Sequence, residues 1–437
     1  MRVFFFGVNM NRKLLIVFFI LLFSLSVNAQ LDLNLGPDWN FTGVGARVAG
    51  MGGAFIGVAD DATAVSWNPA GLTHLDKPEA SIVGRGLGEI YEVDFDYGVE
   101  TYEDEHAILN FLSGVYPFEF SGKQIVAALA IQRQLDLYSY YHEEYLGEDG
   151  SGFERYLYEK FSEGGASTIT LGLGSRLGSI FSLGAAINLW VGNAFLESKY
   201  ESEDDLIAYY YFRENDKSDW NFSGLNFVFG VMADFIYLEN PKPLKLGLVV
   251  KTPFDLEVDE EYSFESYIDD NGEITEYYDE DSNSYPLGMP LICGFGASYC
   301  FGYNFTLAMD IEARLFGDTN LKEDYEDLTG NDEEIENQNL SQLRIGGEYL
   351  FTEIWDFAVI PLRLGIQTLP TLFKNMDGKQ VVGGGISFGT GLITDRFSFD
   401  VSAKNTKFEI ERDDSDDDEF IYTKTINTIT LSLIYYF

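Results

Sequence analysis

The sequence is constrained first by runs of about ten residues in which apolar and polar side chains alternate. In the clearest run, FTLAMDIEARLF, one face would carry Phe305, Leu307, Met309, Ile311, Ala313 and Leu315. The other face would carry Thr306, Ala308, Asp310, Glu312 and Arg314. Similar runs recur from Phe181 to Val191, from Leu225 to Phe235, from Leu244 to Val250 and from Phe397 to Ala403. A tilted strand of this length crosses an outer membrane, so the pattern predicts strands with lipid on one face and a wet or plugged lumen on the other.

The rest of the chain favours one exported domain. Arg12 and Lys13 precede the apolar run Leu14 to Val27, and Ala29 ends a stretch of small residues, so residues 1–29 are predicted to be a secretory signal peptide. A retained anchor is the alternative, but the apolar run is short for a transmembrane helix. No later stretch reaches about 18 apolar residues, and no Pro- or Ser-rich linker divides the 437 residues.

The last residues, TINTITLSLIYYF, alternate again and end in Phe437. A final strand ending in phenylalanine resembles the signal by which barrel-insertion machinery recognises outer-membrane barrels. We therefore predict an all-β fold, a transmembrane antiparallel β-barrel over residues 81–437 in an outer membrane of the Gram-negative type. The expected partners are the insertion machinery, outer-membrane lipid and lipopolysaccharide, and we expect a monomer.

The charge of the chain is strongly acidic. There are 71 acidic and 28 basic residues, for a formal charge of −43, yet 16% of the residues are aromatic. This balance excludes a nucleic-acid partner, because phosphates need a positive surface. The acid is concentrated in Tyr-rich blocks, which we expect to form long outer loops. The blocks are Asp136 to Gly164, Glu197 to Asp219, Asp255 to Tyr285, Asp318 to Glu336 and Glu409 to Glu419. Within the third block, Asn271-Gly272 is typical of a hairpin turn and fits a calcium-binding loop less well.

A glycine-rich stretch precedes the barrel. Its glycines are Gly43, Gly45, Gly50, Gly52, Gly53, Gly57 and Gly71. Asp60 and Asp61 could accept the free N–H groups of a short helix over residues 62–67, and Pro69 should force Asn68 out of the helical region and end it. A segment of this kind cannot bury itself, so it is expected to pack inside something larger.

The run GARVAGMGGAFIGVADDATAVSWNPAGL resembles the amino-terminal segment of the FadL-like outer-membrane channels for hydrophobic compounds, the long-chain fatty acid transporter family. Later stretches, including PLKLGLVVKTPFDLEV and VGGGISFGTGLITDRFSFDVSAK, are similar to that family in pattern. The resemblance implies about fourteen strands and a hatch over residues 30–80 that plugs the lumen. It also implies passive uptake of hydrophobic small molecules such as long-chain fatty acids. The barrel component of the type IX secretion system has a similar opening, so a barrel that binds protein cargo or partners remains the alternative.

The resemblance suggests roles for particular residues. Asn68, Pro69, Ala70 and Gly71 would anchor the hatch, and Gly50, Gly52 and Gly53 would be its adaptable part. An ion-paired cluster on the lumen wall would hold the hatch through Arg47, or through Asp60 and Asp61. The residues of this cluster are Asp310, Glu312, Arg314, Arg344, Glu348 and Arg363. A purely structural role explains these charges equally well, because charges inside a barrel need partners.

Catalytic chemistry is not indicated. His74, His106 and His142 stand in unrelated contexts, and none belongs to a metal-spaced pair or a nucleophile arrangement. We therefore expect no enzyme activity, no catalytic residue, no metal site and no cofactor.

Overall fold

The computed structural model describes residues 43–95, 98–149, 152–204, 210–238, 241–329, 335–355, 357–413 and 419–437. The predicted signal peptide and residues 30–42 of the predicted hatch lie outside this range. Within it, the protein consists almost entirely of antiparallel strands.

The first eight strands are β1 (Glu79–Phe95), β2 (Gly98–Phe120), β3 (Lys123–Arg133), β4 (Ser139–Asp149), β5 (Gly152–Leu177), β6 (Phe181–Asp204), β7 (Tyr210–Asp234) and β8 (Leu244–Lys251). The others are β9 (Phe254–Asp270), β10 (Glu273–Met289), β11 (Ile292–Phe301), β12 (Phe305–Arg314), β13 (Leu340–Trp355), β14 (Ala358–Lys374), β15 (Gln380–Ile393), β16 (Phe397–Asp413) and β17 (Glu419–Tyr436). The α-helices are α1 (Ala46–Gly50), α2 (Ala64–Trp67) and α3 (Leu321–Thr329). Short 3₁₀ helices cover Pro69–His74, Phe235–Tyr237 and Phe316–Asp318.

The strands form a closed barrel of fourteen staves, as predicted. Closure comes from β1, which pairs with β2 on one side and with β17 on the other. Three staves consist of two consecutive strands each, namely β3 with β4, β8 with β9, and β10 with β11. Pro253 and Pro290 lie at two of these breaks, where a residue without an N–H interrupts the ladder.

The outer face of the barrel forms an apolar belt. Leu171, Phe229 and Ile366 are about half exposed there, whereas inward-facing neighbours such as Asp310 are buried. The predicted two faces of the FTLAMDIEARLF run are observed in β12. Exposed aromatic side chains ring the end of the barrel where β1 begins and β17 ends, here called the terminus end. They include Phe120, Phe181, Phe301, Tyr349, Tyr435 and Phe437. An apolar belt bordered by aromatic residues is the surface of an outer-membrane barrel.

The opposite end, here called the far end, is built differently from the prediction. The acidic blocks expected as loops are largely strands: β4, β9 and β10 and the upper parts of β5, β6 and β7 continue the wall. The β9–β10 hairpin closes in the predicted turn, with positive φ at Asn271 and Gly272. The loop prediction was wrong because aromatic and aliphatic residues alternate with the acids, and antiparallel pairing satisfies the backbone while the outer face meets water. No helix in the described ranges is long and apolar enough to span a bilayer.

Two apolar cores fill the lumen. The core nearer the terminus end joins residues 44–75 to inward-facing wall residues such as Val83 and Val249. The far-end core surrounds Phe316 and α3, whose Leu321, Tyr325 and Leu328 are buried on one helix face. Residues 315–329 and 335–340 therefore fold into the far mouth of the barrel instead of extending into solvent.

Candidate functional site

Residues 43–78, here called the lumen segment, cross the barrel interior in close contact with the wall. Wall glycines that contact it come from seven staves, those of β6, β7, β8, β11, β13, β14 and β15: Gly184, Gly230, Gly247, Gly296, Gly346, Gly365 and Gly389. A Cβ at Gly365 would lie 2.0 Å from the backbone N of Gly52, which itself has φ +65. Glycine is thus required on both sides of this contact, since a side chain on either would push the segment off the wall.

Arg47 of α1 connects the lumen segment to the wall. Its guanidinium makes two hydrogen bonds to Glu348 of β13, of 3.1 and 2.9 Å, and one of 2.7 Å to Asp60. Arg363 of β14 donates to Glu348 at 2.6 Å and to Asp400 of β16 at 2.6 Å. We call these five residues the Arg47 network. Apart from Arg47 and Asp60, its side chains are almost fully buried, so each charge depends on its partner.

The Arg47 network determines the direction in which the pKa values of Arg47 and Asp60 shift. Burial by itself would lower the pKa of Arg47, but Asp60, Glu348 and Asp61 outweigh burial and hold that pKa well above its ordinary value. Burial would raise the pKa of Asp60, yet chiefly Arg47 and Lys245 hold it well below the ordinary range. Burial does raise the pKa of Asp61, because Arg47 and Thr63 offset it only in part. Asp60 is therefore the charged partner of Arg47.

Hydrogen bonds between wall side chains and backbone groups hold the middle of the segment. Asp310 of β12 accepts the backbone N–H groups of Phe55 at 2.6 Å and Ile56 at 2.8 Å. The Asn68 amide donates to the carbonyl of Ile56 at 3.1 Å and to that of Val231 at 3.3 Å. As predicted, Asn68 is extended and ends α2. Its side chain also accepts the N–H of Ala70 at 3.2 Å, so it starts the next turn.

A second charged group lies beside the first. Glu312 of β12 accepts from Arg314 at 3.0 Å and from Arg344 of β13 at 3.1 Å, and both guanidinium groups donate to Gln342. The Arg344 guanidinium also stacks over the ring of Trp67 in α2, 5.5 Å from its centroid. This group therefore touches the segment through an aromatic ring and makes no ion pair with it in the described structure.

The space left beside the segment is small and polar. A cavity of about 110 Å³ lies between Val48 and the wall, and its described lining includes Arg85, Arg314, Arg344, Lys404 and Thr428 but no carboxylate. Water or a small anion suits such a lining, whereas an apolar molecule does not. An apolar molecule would have to displace the segment to pass at this level.

The predicted site residues are thus brought together, but as two groups instead of one. Arg47, Asp60, Glu348 and Arg363 belong to the Arg47 network, while Glu312, Arg314 and Arg344 form the second group. Asp310 binds backbone N–H groups and makes no ion pair with a described residue. Asp61 accepts the N–H of Thr63 at 2.9 Å in the turn before α2, but the N-cap of this helix is Thr63, so neither Asp60 nor Asp61 caps it and the capping prediction was wrong.

Two kinds of residue that contact the lumen segment or its partners were not predicted. Asp400, the second partner of Arg363, lies in β16, and nothing local in its sequence marks it. Lys245 of β8 lies 3.7 Å from Asp60, and its alternation with apolar neighbours indicates an inward face but no partner. The wall glycines that receive the segment were not singled out either, although their spacing at inward-facing strand positions could have shown them.

A closed barrel of antiparallel staves, with an apolar belt, an aromatic ring and a segment of its own chain packed in the lumen, defines an outer-membrane β-barrel protein with a plugged interior. Residues 10–434 match the family model described as BamG, and the chain belongs to that family. No curated protein sequence matches this chain.

Solved structures with a similar fold are outer-membrane barrels. The chain is similar to the Pseudomonas putida toluene transporter TodX, with a TM-score of 0.58 and 14% identity over 90% of this chain and 99% of that chain. It is also similar to a Pseudomonas aeruginosa FadL homologue, with a TM-score of 0.59 and 13% identity over 94% of this chain and 99% of that chain. The likeness confirms the predicted FadL-like barrel fold.

Proposed function

We propose that this protein is an outer-membrane channel for hydrophobic small molecules, and that the lumen segment is its hatch. The similar folds described as a toluene transporter and a FadL homologue support the class of permeant. Long-chain fatty acids are the permeants that we propose to test first, because their apolar chains suit the surface described next.

The observation that carries the proposal is a groove of about 780 Å³ on the lipid-facing wall across β12 to β17. Its sides include Leu364, Ile366, Ile386, Phe388 and Ile429. A groove of this size and lining suits an apolar chain. Its floor is the backbone of strands whose inner side carries the hatch.

The floor of the groove is one peptide layer thick. Gly365 and Ser387 line the groove, and on the inner side the N–H of Gly52 donates to the Ser387 hydroxyl at 3.0 Å. The same hydroxyl donates to the carbonyl of Gly50 at 3.2 Å. In the proposal, an apolar molecule in the groove contacts the outer side of β14 and β15, and Gly50 and Gly52 of the hatch contact the inner side of the same strands.

A reversible cross-link tests whether the hatch must move. The N–H of Ala46 donates to the Ser432 hydroxyl of β17 at 2.6 Å, so Ala46→Cys with Ser432→Cys should form a disulfide between hatch and wall. Labelled fatty acid uptake into cells or proteoliposomes should fall to the background rate when the pair is oxidised and recover on reduction. Undiminished uptake by the oxidised protein would refute gating by the hatch.

The matched control is a disulfide that joins two wall strands only. Ser402 of β16 pairs directly with Thr430 of β17, so Ser402→Cys with Thr430→Cys cross-links the wall without holding the hatch. Both pairs are placed in a background without the free Cys293 and Cys300. Uptake by the oxidised control should match that of its reduced form.

A second candidate function is a barrel that binds protein partners, as in a secretion system. It is favoured by the far-end core, in which Phe316, Leu321 and Leu328 close the mouth opposite the hatch. A barrel plugged at both ends suits docking as well as conduction. Mass spectrometry after mild extraction separates the two: retained fatty acids or other apolar ligands support the channel, and stoichiometric retained proteins support docking.

A further inference from the structure

The barrel wall has a seam near the far end, between the staves of β2 and β3–β4. Pairing of β2 with β3 runs from Phe120–Lys123 up to Phe111–Gln132. Beyond that point β2 pairs with β1, and β4 pairs with β5. In the described part of the chain no backbone pair joins β2 to β4, so two strand edges face each other without a ladder.

Two irregularities at the same height separate these edges. The register of β1 with β2 jumps from Val83–Phe111 to Gly84–Leu109 and leaves Asn110 as a bulge. On the other side, residues 134–138 leave the strand, and the N–H groups of both Gln134 and Leu135 donate to the carbonyl of Ala166. The bends are therefore built into both neighbouring staves.

Side chains bridge the seam where backbone bonds are missing. His106 of β2 and Asp136 form a bond of 2.6 Å between Nε2 and Oδ2, and the His106 ring stacks on Tyr138 at 4.5 Å. The Asp104 carboxylate accepts the backbone N–H of Tyr140 at 3.3 Å. This carboxylate takes the place that the carbonyl of a neighbouring strand would occupy, so one edge N–H of β4 already binds a substitute acceptor.

The charge at the seam selects the kind of strand that could pair there. Glu103 and Glu105 of β2 and Glu144 of β4 are exposed beside it, in a chain with a formal charge of −43. A second copy of this acidic edge would be repelled, because like charges on paired strands are destabilising. A basic segment would be attracted to it.

We propose that the seam is a docking site for an extended, lysine- or arginine-rich segment of another protein. The segment adds as a strand to the edge of β4 and replaces the Asp104 carboxylate with its own carbonyl. Backbone hydrogen bonds supply the pairing, and the acidic side chains supply the selectivity. This inference stands apart from the transport of small molecules and does not depend on it.

The test uses the full-length protein in detergent and a fluorescent ten-residue peptide of alternating lysine and valine. Its matched control has the same sequence and charge but carries N-methyl groups at alternate backbone nitrogens, so that one edge cannot donate hydrogen bonds. We expect the unmodified peptide to bind at least about tenfold more tightly than the methylated one. Amide exchange should slow over residues 139–149 only when the unmodified peptide is present.

Charge variants locate the binding. Glu103→Gln with Glu105→Gln should weaken the unmodified peptide about three- to tenfold at low salt. Glu261→Gln with Glu265→Gln makes the same charge change on β9, which pairs with β7 on one side and β10 on the other, and should leave affinity within about twofold. Equal affinity for both peptides, or equal loss in both variants, would reduce the binding to general attraction by the acidic surface and overturn the proposal.

Discussion

The Arg47 network predicts how much free energy is needed to open the lumen segment locally. In Arg47→Met the apolar stem is kept, so packing over the Phe55 ring, now 5.4 Å from the guanidinium carbon, should survive. What is lost is one of the two guanidinium partners of Glu348, whose side chain is only 4% exposed. Asp60 loses its 2.7 Å partner and keeps Lys245 at 3.7 Å.

The free-energy cost of Arg47→Met depends on the partners that Glu348 and Asp60 keep. Removing one member of a buried ion pair costs about 3–5 kcal/mol when the other charge is left alone. Here Arg363 still donates to Glu348 at 2.6 Å, and Arg47 itself is 21% exposed, so the loss should be smaller. We expect local opening of the segment to become easier by about 2–3 kcal/mol, which corresponds to amide exchange faster by about 30- to 150-fold.

The assay is amide exchange of the purified protein, followed by mass spectrometry over residues 44–58. The control is exchange in β5 and β6, whose continuous ladder should not respond. Adding Glu348→Gln to Arg47→Met removes the stranded charge, so the double variant should be less perturbed than the sum of the single variants. Unchanged exchange in Arg47→Met, or acceleration spread evenly over the barrel, would refute the network as the fastening of the segment.

Three further predictions concern single contacts and pH. Gly365→Ala should displace the lumen segment and lower the thermal midpoint in circular dichroism, whereas Gly86→Ala, where a Cβ meets open space, should not. Asp310→Asn should speed exchange of the Phe55 and Ile56 amides by about tenfold or more, since an amide oxygen is a weaker acceptor than a carboxylate. The depressed pKa of Asp60 means that its stabilising charge is present at neutral pH and lost in acid. The stability difference between wild type and Asp60→Asn, from denaturant titrations, should therefore hold above about pH 5 and shrink below about pH 4.

The sequence predicted the features that depend on local pattern, such as the face of a strand on which a side chain lies. Alternation in β12 placed Asp310, Glu312 and Arg314 on the lumen face, because side chains of a strand alternate whatever its partner. The pairing of Arg363 with Asp400 could not be predicted, since it depends on register across three staves. The far-end strands were not predicted, because acidic residues are typical of loops in solvent, and the aromatic residues that alternate with them favour strands only once a neighbouring strand pairs with them.

The position of the two cores bears on any transport route. The Arg47 network and the Asp310 contacts hold the lumen segment near the terminus end, while Phe316 and α3 fill the far mouth. These groups share no ion pair among the described residues, so release of the segment need not open the far mouth. A straight path through the barrel would then require two separate rearrangements. A molecule held in the lipid-facing groove avoids the far mouth, but it must part the paired strands of the groove floor as well as displace the hatch, so under the proposed function this route also requires two rearrangements.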